Sequence, residues 1–259
     1  MSCRSVIAVI ILCFINLINY MDRYTIAGVL DDIGKFYDLN EKLKGLIQTS
    51  FIVSYMIFAP LFGYWGDRYS RKYLMAFGVL FWSLTTLFGS FVPSDRPWLF
   101  FFFRGLVGIG EASYSTLAPT IIADLYSKER RTQMLSLFYF AIPVGSGLGY
   151  IVGSFVGDYF DDWTYSLRVT PLLGIASVVL LLVFLDEPER GQCEEVMQMD
   201  NSDVWQDLKY LKSVKSYVWS TVGFTCVCFS IGALGWWAPS FINYATESLY
   251  SGEMDGDKT

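Results

Sequence analysis

A bilayer core about 30 Å thick needs roughly 20 apolar residues to be crossed by a helix. This sequence supplies such stretches, or near misses, seven times. They cover residues 6–30, 46–66, 73–92, 98–121, 134–157, 169–185 and 217–238, and together take up 153 of the 259 residues. The first resembles a signal peptide, with Arg4 ahead of an apolar run, but it is too long and too polar near its end and no small-residue cleavage site follows. It is read as an uncleaved span. The expected architecture is an all-α membrane protein.

Composition removes the competing classes. Apolar residues make up 53% and charged residues only 17%, against about a quarter charged in soluble domains. Disorder and low complexity are excluded, and a water-soluble enzyme nearly so. The net charge of −6 has the wrong sign for a nucleic-acid partner. Histidine is absent, which takes away the commonest general base and metal ligand. The five cysteines, Cys3, Cys13, Cys193, Cys226 and Cys228, lack zinc-type paired spacing. No cofactor is implied, and no metal.

Orientation follows from Lys and Arg placement. With the N-terminus in the cytosol, eleven basic residues fall in cytosolic segments and six opposite; the remaining two, Arg23 and Arg104, lie inside spans. The longest polar stretch, 186–215, separates the sixth span from the seventh. The expected organisation is a six-helix bundle over 1–191, a cytosolic linker over 192–216, and one further helix with a polar tail over 217–259.

Asp22, Arg23, Arg104 and Glu111 are ionisable residues within spans. Each such charge costs about 2.5–3.5 kcal/mol on insertion scales, so these groups are usually functional and paired. Arg104 and Glu111 are seven residues apart, hence on one helix face about 10.5 Å apart along the axis. In the first span Asn16, Tyr20 and Arg23 share a face, with Asn19 and Asp22 beside it. Six spans can be read as two three-helix repeats of opposite orientation, with the charges in the first helix of each. An internal salt bridge that fixes packing is one reading of this placement, and a substrate or proton site is the other.

The turn after the second span reads Gly63-Tyr64-Trp65-Gly66-Asp67-Arg68-Tyr69-Ser70-Arg71-Lys72. Asp67 can pair with a cation or cap the helix that follows, while Arg68, Arg71 and Lys72 hold the turn in the cytosol. This spacing resembles the cytosolic-gate signature of the major facilitator superfamily. In the fifth span Pro143 precedes Gly145, Gly149, Gly153 and Gly157, a groove for close helix contact. It also resembles that superfamily's fifth-helix antiporter signature. Packing, dimerisation and a hinge remain open for it.

Longer blocks carry a closer resemblance. Asn19-Tyr20-Met21-Asp22-Arg23-Tyr24-Thr25, the run from Arg104 to Ser115, the run from Phe138 to Tyr150, Leu167-Arg168-Val169-Thr170-Pro171 and Glu187-Pro188-Glu189-Arg190-Gly191 resemble blocks of the Spinster family. Gly235-Trp236-Trp237-Ala238-Pro239 extends the match more weakly into the seventh span. The resemblance implies a major facilitator-type six-helix bundle of two inverted three-helix repeats, plus a seventh transmembrane helix. It also implies a proton-linked carrier of lysosphingolipids or lysophospholipids in late endosomal or lysosomal membranes, ahead of the plasma membrane. On that reading Asn16, Tyr20, Arg23 and Arg104 meet the lipid headgroup, and Asp22 and Glu111 exchange protons. Gly63, Asp67, Arg68, Arg71 and Lys72 would form the cytosolic gate.

Carriers of this superfamily have twelve helices in two bundles, so the chain is expected to represent about half of one. Three readings of that half follow: a fragment of a full carrier, a short product that pairs with a second transporter half, or a product that does not transport. A carrier of another small organic anion is a further alternative.

Overall fold

The computed structural model describes residues 3–188, 190 and 204–256. Among these residues the chain forms nine helices and no strand. They are α1 (Cys3–Gly28), α2 (Leu30–Phe36), α3 (Glu41–Gly66), α4 (Arg71–Gly89), α5 (Pro97–Leu125), α6 (Lys128–Phe160), α7 (Trp163–Phe184), α8 (Val204–Ser213) and α9 (Lys215–Gly256). The chain divides into two compact units, Met1–Glu194 and Glu195–Thr259. Residues 192–203 of the expected linker, with Cys193, lie outside the described residues. So do Glu189 and Gly191.

The first unit is a helical bundle. Its main packing partners are α1 with α6, α3 with α5, α4 with α5, α4 with α7, and α1 with α7. Exchanging α1, α3, α4 for α5, α6, α7 turns α1–α6 into α5–α3 and α1–α7 into α5–α4. It leaves α4–α7 unchanged. This paired pattern is what two structurally equivalent three-helix repeats produce. The core lies between them, built on Leu12, Ile15, Phe51, Met75, Val79, Trp82, Val107, Tyr114, Ile121 and Leu181.

Among the described residues six helices are long and apolar enough to cross a membrane: α1, α3, α4, α6, α7 and α9. The expected fourth span, α5, is 29 residues long but falls outside this set. Its sequence carries Arg104 and Glu111 among glycines and small polar residues. That polarity lowers its hydropathy, and the fold buries it in the middle of the bundle.

Several boundaries differ from those expected from hydropathy. α6 begins at Lys128 and α7 at Trp163, each six residues before its apolar stretch. Apolar runs mark the part of a helix that suits lipid, whereas helices begin where a cap allows. The Asp162 side chain accepts from the Thr164 N–H at 2.9 Å and starts α7. The short α2 was not foreseen. It is fastened by Lys44 from the first turn of α3, whose Nζ lies 3.0 Å from Asp31 Oδ1, and by the Tyr37 hydroxyl, which donates to the Val92 carbonyl at 2.9 Å. Burial pushes the Tyr37 phenol well above its ordinary pKa.

The second unit holds α8 and α9. α8 falls within the stretch read as linker. α9 has 42 residues and continues well past residue 238, where the expected span stopped.

Candidate functional site

The glycine run of α6 sets where α1 sits. A Cβ on Gly145, Gly149 or Gly153 would lie 2.5, 2.6 and 2.7 Å from the carbonyl oxygens of Leu17, Met21 and Thr25. The four-residue step is the same on both helices, so their backbones touch along matching ridges. Gly147 has nothing within 4 Å, and Pro143 lies inside the helix. This contact seats the α1 segment that carries the polar residues.

The four charges within the spans come together, three of them buried and Arg23 partly so, and the pairs run between helices. Arg23 of α1 donates to Glu111 of α5 through Nη2 at 2.6 Å and Nε at 3.3 Å. The rings of Tyr20 and Phe51, each 4.8 Å from the Arg23 guanidinium carbon, line its faces. Asp22 of α1 accepts from the Thr170 hydroxyl of α7 at 2.5 Å and from the Thr86 hydroxyl of α4 at 3.3 Å. Arg104 of α5 approaches Asp22 only to 3.8 Å, too far for a hydrogen bond.

Arg104 is 2% exposed, Asp22 1%, and Asn19 and Glu111 0%. Yet all three guanidinium nitrogens of Arg104 lack a hydrogen-bond partner among the described residues. So do both amide atoms of Asn19, Glu111 Oε1, Gln48 Oε1 and Ser115 Oγ. Buried polar groups are otherwise almost always satisfied, and a buried cation without a hydrogen-bond partner is costly. Within the cluster, Arg104 therefore offers three unmatched donors and Glu111 one unmatched acceptor.

The other expected headgroup residues divide. Tyr20 lies against Arg23, within the cluster. Asn16 does not join it as a free donor, because its Nδ2 donates to the Phe138 carbonyl of α6 at 2.8 Å. The fold uses this donor for packing.

The gate motif forms a separate cluster at the other end of α4, centred on Arg71. The buried Arg71 guanidinium binds Asp124 of α5 at 2.6 Å, Glu187 Oε1 at 3.5 Å and the Pro188 carbonyl at 3.2 Å. The Glu187 carboxylate also accepts from the Ser70 hydroxyl at 2.5 Å and the Arg71 N–H at 2.8 Å. It thereby caps α4 from beyond the end of α7. Burial pushes the Glu187 carboxyl up, but these donors and the Arg71 charge outweigh it and hold the group below its ordinary range.

That cap corrects one reading of the motif. Asp67 is exposed, sits at the C-cap of α3, and its carboxylate makes no hydrogen bond or ion pair among the described residues. Glu187 has the reach that the turn denies to Asp67. Arg68 lies over the Tyr64 ring, 3.6 Å from its centroid, and Lys72 contributes its backbone N–H to Glu187. A Cβ at Gly63 would meet only an ordinary contact at 3.6 Å, whereas at Gly66 it would meet Leu117 at 2.1 Å. Gly66 is the more closely approached of the two, and a side chain there would displace the end of Leu117. Arg190 closes the cluster by donating to the carbonyls of Gly66 and Tyr69 at 3.0 and 2.8 Å.

Sequence reasoning missed Thr86, Thr170 and the capping role of Glu187. The threonines sit in apolar stretches, where a hydroxyl normally satisfies itself on its own helix, so nothing in the sequence separates them from the other threonines. A cavity of about 750 Å³ opens elsewhere on the unit, lined by Asp32, Ser90, Asp158, Trp163 and Arg168 among others. It includes none of the four charges within the spans.

The Major Facilitator Superfamily family profile matches residues 12–252. Protein spinster homolog 1 of Homo sapiens is 55% identical over 242 residues, which is 92% of this chain and 46% of that protein. Protein spinster of Drosophila melanogaster is 57% identical over 234 residues, 90% of this chain and 38% of that protein. The crystal structure of a bacterial homologue of the human lysosomal transporter Spinster, inward-facing and unoccupied, superposes with a TM-score of 0.75 at 20% identity. It covers 93% of this chain and 56% of that one. The chain thus spans about half the length of the relatives it matches. It belongs to the major facilitator superfamily, a family of transporters and not of enzymes, as a Spinster homologue covering roughly the N-terminal half of those proteins.

Proposed function

We propose that this chain supplies one bundle of a proton-linked, alternating-access carrier of lysolipids, either lysosphingolipids or lysophospholipids. The observation that carries the reading is Arg104, a buried guanidinium with no hydrogen-bond partner among the described residues. An anionic or zwitterionic headgroup would complete it. Charge-assisted hydrogen bonds from a guanidinium to phosphate are strong and directional. Tyr20 lies against the neighbouring Arg23, and the rings of Phe51 and Tyr55 beside these arginines suit an acyl tail.

Asp22 and Glu111 are the groups that would take up and release protons, because each faces an arginine from the other repeat. Protonating Glu111 would free Arg23, and protonating Asp22 would remove the charge that faces Arg104. Alternating access requires a second bundle, supplied by the rest of a longer carrier or by pairing with another transporter half. The major facilitator fold and the Spinster relatives support a multi-pass protein. The N-terminus in the cytosol and a late endosomal or lysosomal membrane are proposed with it, the first from Lys and Arg placement and the second from the Spinster resemblance.

The test is transport in proteoliposomes by a carrier containing this sequence and a complete second bundle. With lysophosphatidylcholine and sphingosine-1-phosphate as probes, Arg104→Ala is expected to abolish transport of the lipid that wild type carries, at unchanged protein level. Retained transport would reject the assignment of Arg104.

A further inference from the structure

Most hydroxyls in the middle of these helices satisfy themselves on their own backbone. Thr25 donates to the Met21 carbonyl, Ser83 to Val79, Thr85 to Phe81, Thr116 to Ala112, and Ser177 to Leu173. Thr86 and Thr170 depart from this pattern. They come from α4 and α7, and both point their hydroxyls at one carboxylate, Asp22 of α1, at 3.3 and 2.5 Å.

The consequence is read at Arg104. A buried carboxylate and guanidinium facing each other normally close to about 2.7–2.9 Å. Here the gap is 3.8 Å, and Oδ2, the Asp22 oxygen nearest the guanidinium, accepts the Thr86 hydroxyl. Thr170 holds the other oxygen. Glu111, the second acid near Arg104, is taken by Arg23. Both Asp22 oxygens are thus held by hydroxyls, Glu111 pairs with Arg23 through Oε2 alone, and Arg104 is left with its donors open.

We infer that Thr86 and Thr170 are positioning residues that hold Asp22 off Arg104, which keeps the guanidinium open to an anionic group of the solute. This rests on the proposed reading of Arg104 as the group that receives such an anion. Removing the hydroxyls would release Asp22 to close on Arg104 and compete with the solute.

The experiment uses the purified chain in lipid nanodiscs, with Thr86→Val and Thr170→Val combined. A structure of this variant is expected to show the Asp22 carboxylate in direct hydrogen-bonding contact with Arg104. A gap persisting near the present 3.8 Å would overturn the positioning role. Binding is measured with oleoyl lysophosphatidic acid, and with monoolein as its phosphate-free control. The variant is expected to bind the phosphate lipid about tenfold more weakly and monoolein unchanged.

Adding Asp22→Asn to the double variant removes the competing charge and is expected to restore binding of the phosphate lipid, and Thr86→Ser with Thr170→Ser, which keeps both hydroxyls, is expected to retain it. A loss that survives Asp22→Asn would mean mere damage to packing, and would reject the inference. Closure of Asp22 on Arg104 with unchanged phosphate-lipid affinity would uphold the positioning but overturn the reading of Arg104 as an anion receptor. A wild type that binds both lipids equally would overturn that same reading, and the structural comparison would then decide the positioning by itself.

Discussion

Replacing Gly149 by alanine adds one methyl group at a place where the backbones of α1 and α6 already touch. That Cβ would lie 2.6 Å from the Met21 carbonyl oxygen, and 3.0 Å from both the Thr25 nitrogen and the Tyr24 Cβ. The first and second of these neighbours are backbone, so no flexible side chain can move aside. Ordinary contact begins near 3.4 Å, so the helices must separate by about 0.8 Å. A gap of that size forfeits roughly a quarter to a half of the dispersion attraction along the interface. Overpacking of this kind costs about 1–3 kcal/mol, opposed by about 0.5–1 kcal/mol from the better helix propensity of alanine. Gly147, two residues away, has nothing within 4 Å, so there alanine brings only the propensity gain. Thermal unfolding of the two variants in the same detergent isolates the contact. Gly149→Ala is expected to melt below wild type, and Gly147→Ala at or above it. Equal melting temperatures would refute the claim that the α6 glycines seat α1.

Two further outcomes follow from the ion pairs. Glu187 has a folded pKa below its unfolded one, so its contribution is fully present above the ordinary carboxylate range. It fades as pH falls through the folded value. Wild type should therefore be more stable than Glu187→Gln at pH 7, and the difference should close below about pH 4; a gap that widens on acidification would contradict the cap. Removing one partner of a buried pair costs about 3–5 kcal/mol, while removing both costs far less. Arg23→Gln should accordingly destabilise more than the double change Arg23→Gln with Glu111→Gln, and additive losses in a double-mutant melting cycle would speak against a coupled pair.

Much of the site was legible because charge in an apolar run is conspicuous. Asp22, Arg23, Arg104 and Glu111 stand out from their spans by cost alone, and all four meet in the bundle. The four-residue glycine step of α6 was legible as a close helix contact, and its partner is α1. Pairing was not legible. The spacing that places Arg104 and Glu111 on one face says nothing of which acid faces which arginine, because that depends on where α1 lies against α5. Asn16 shares a helix face with Tyr20 and Arg23 in the sequence, yet its amide donates to an α6 carbonyl. The turn motif offered Asp67 as a partner for a cation or as the cap of α4, and Glu187, more than a hundred residues later, fills the capping role.

By itself the sequence determined the solvent, the helices and the price of their charges. Those follow from composition and from periodicity along one segment, through transfer energies that act residue by residue. Only the tertiary structure decided that Arg23 is paired with Glu111, that two threonines hold Asp22, and that Arg104 is left open. The physical reason is that hydrogen bonds act over about 3 Å, between residues as far apart as Asp22 and Thr170. Their partners are chosen by how helices pack and not by what any one helix contains.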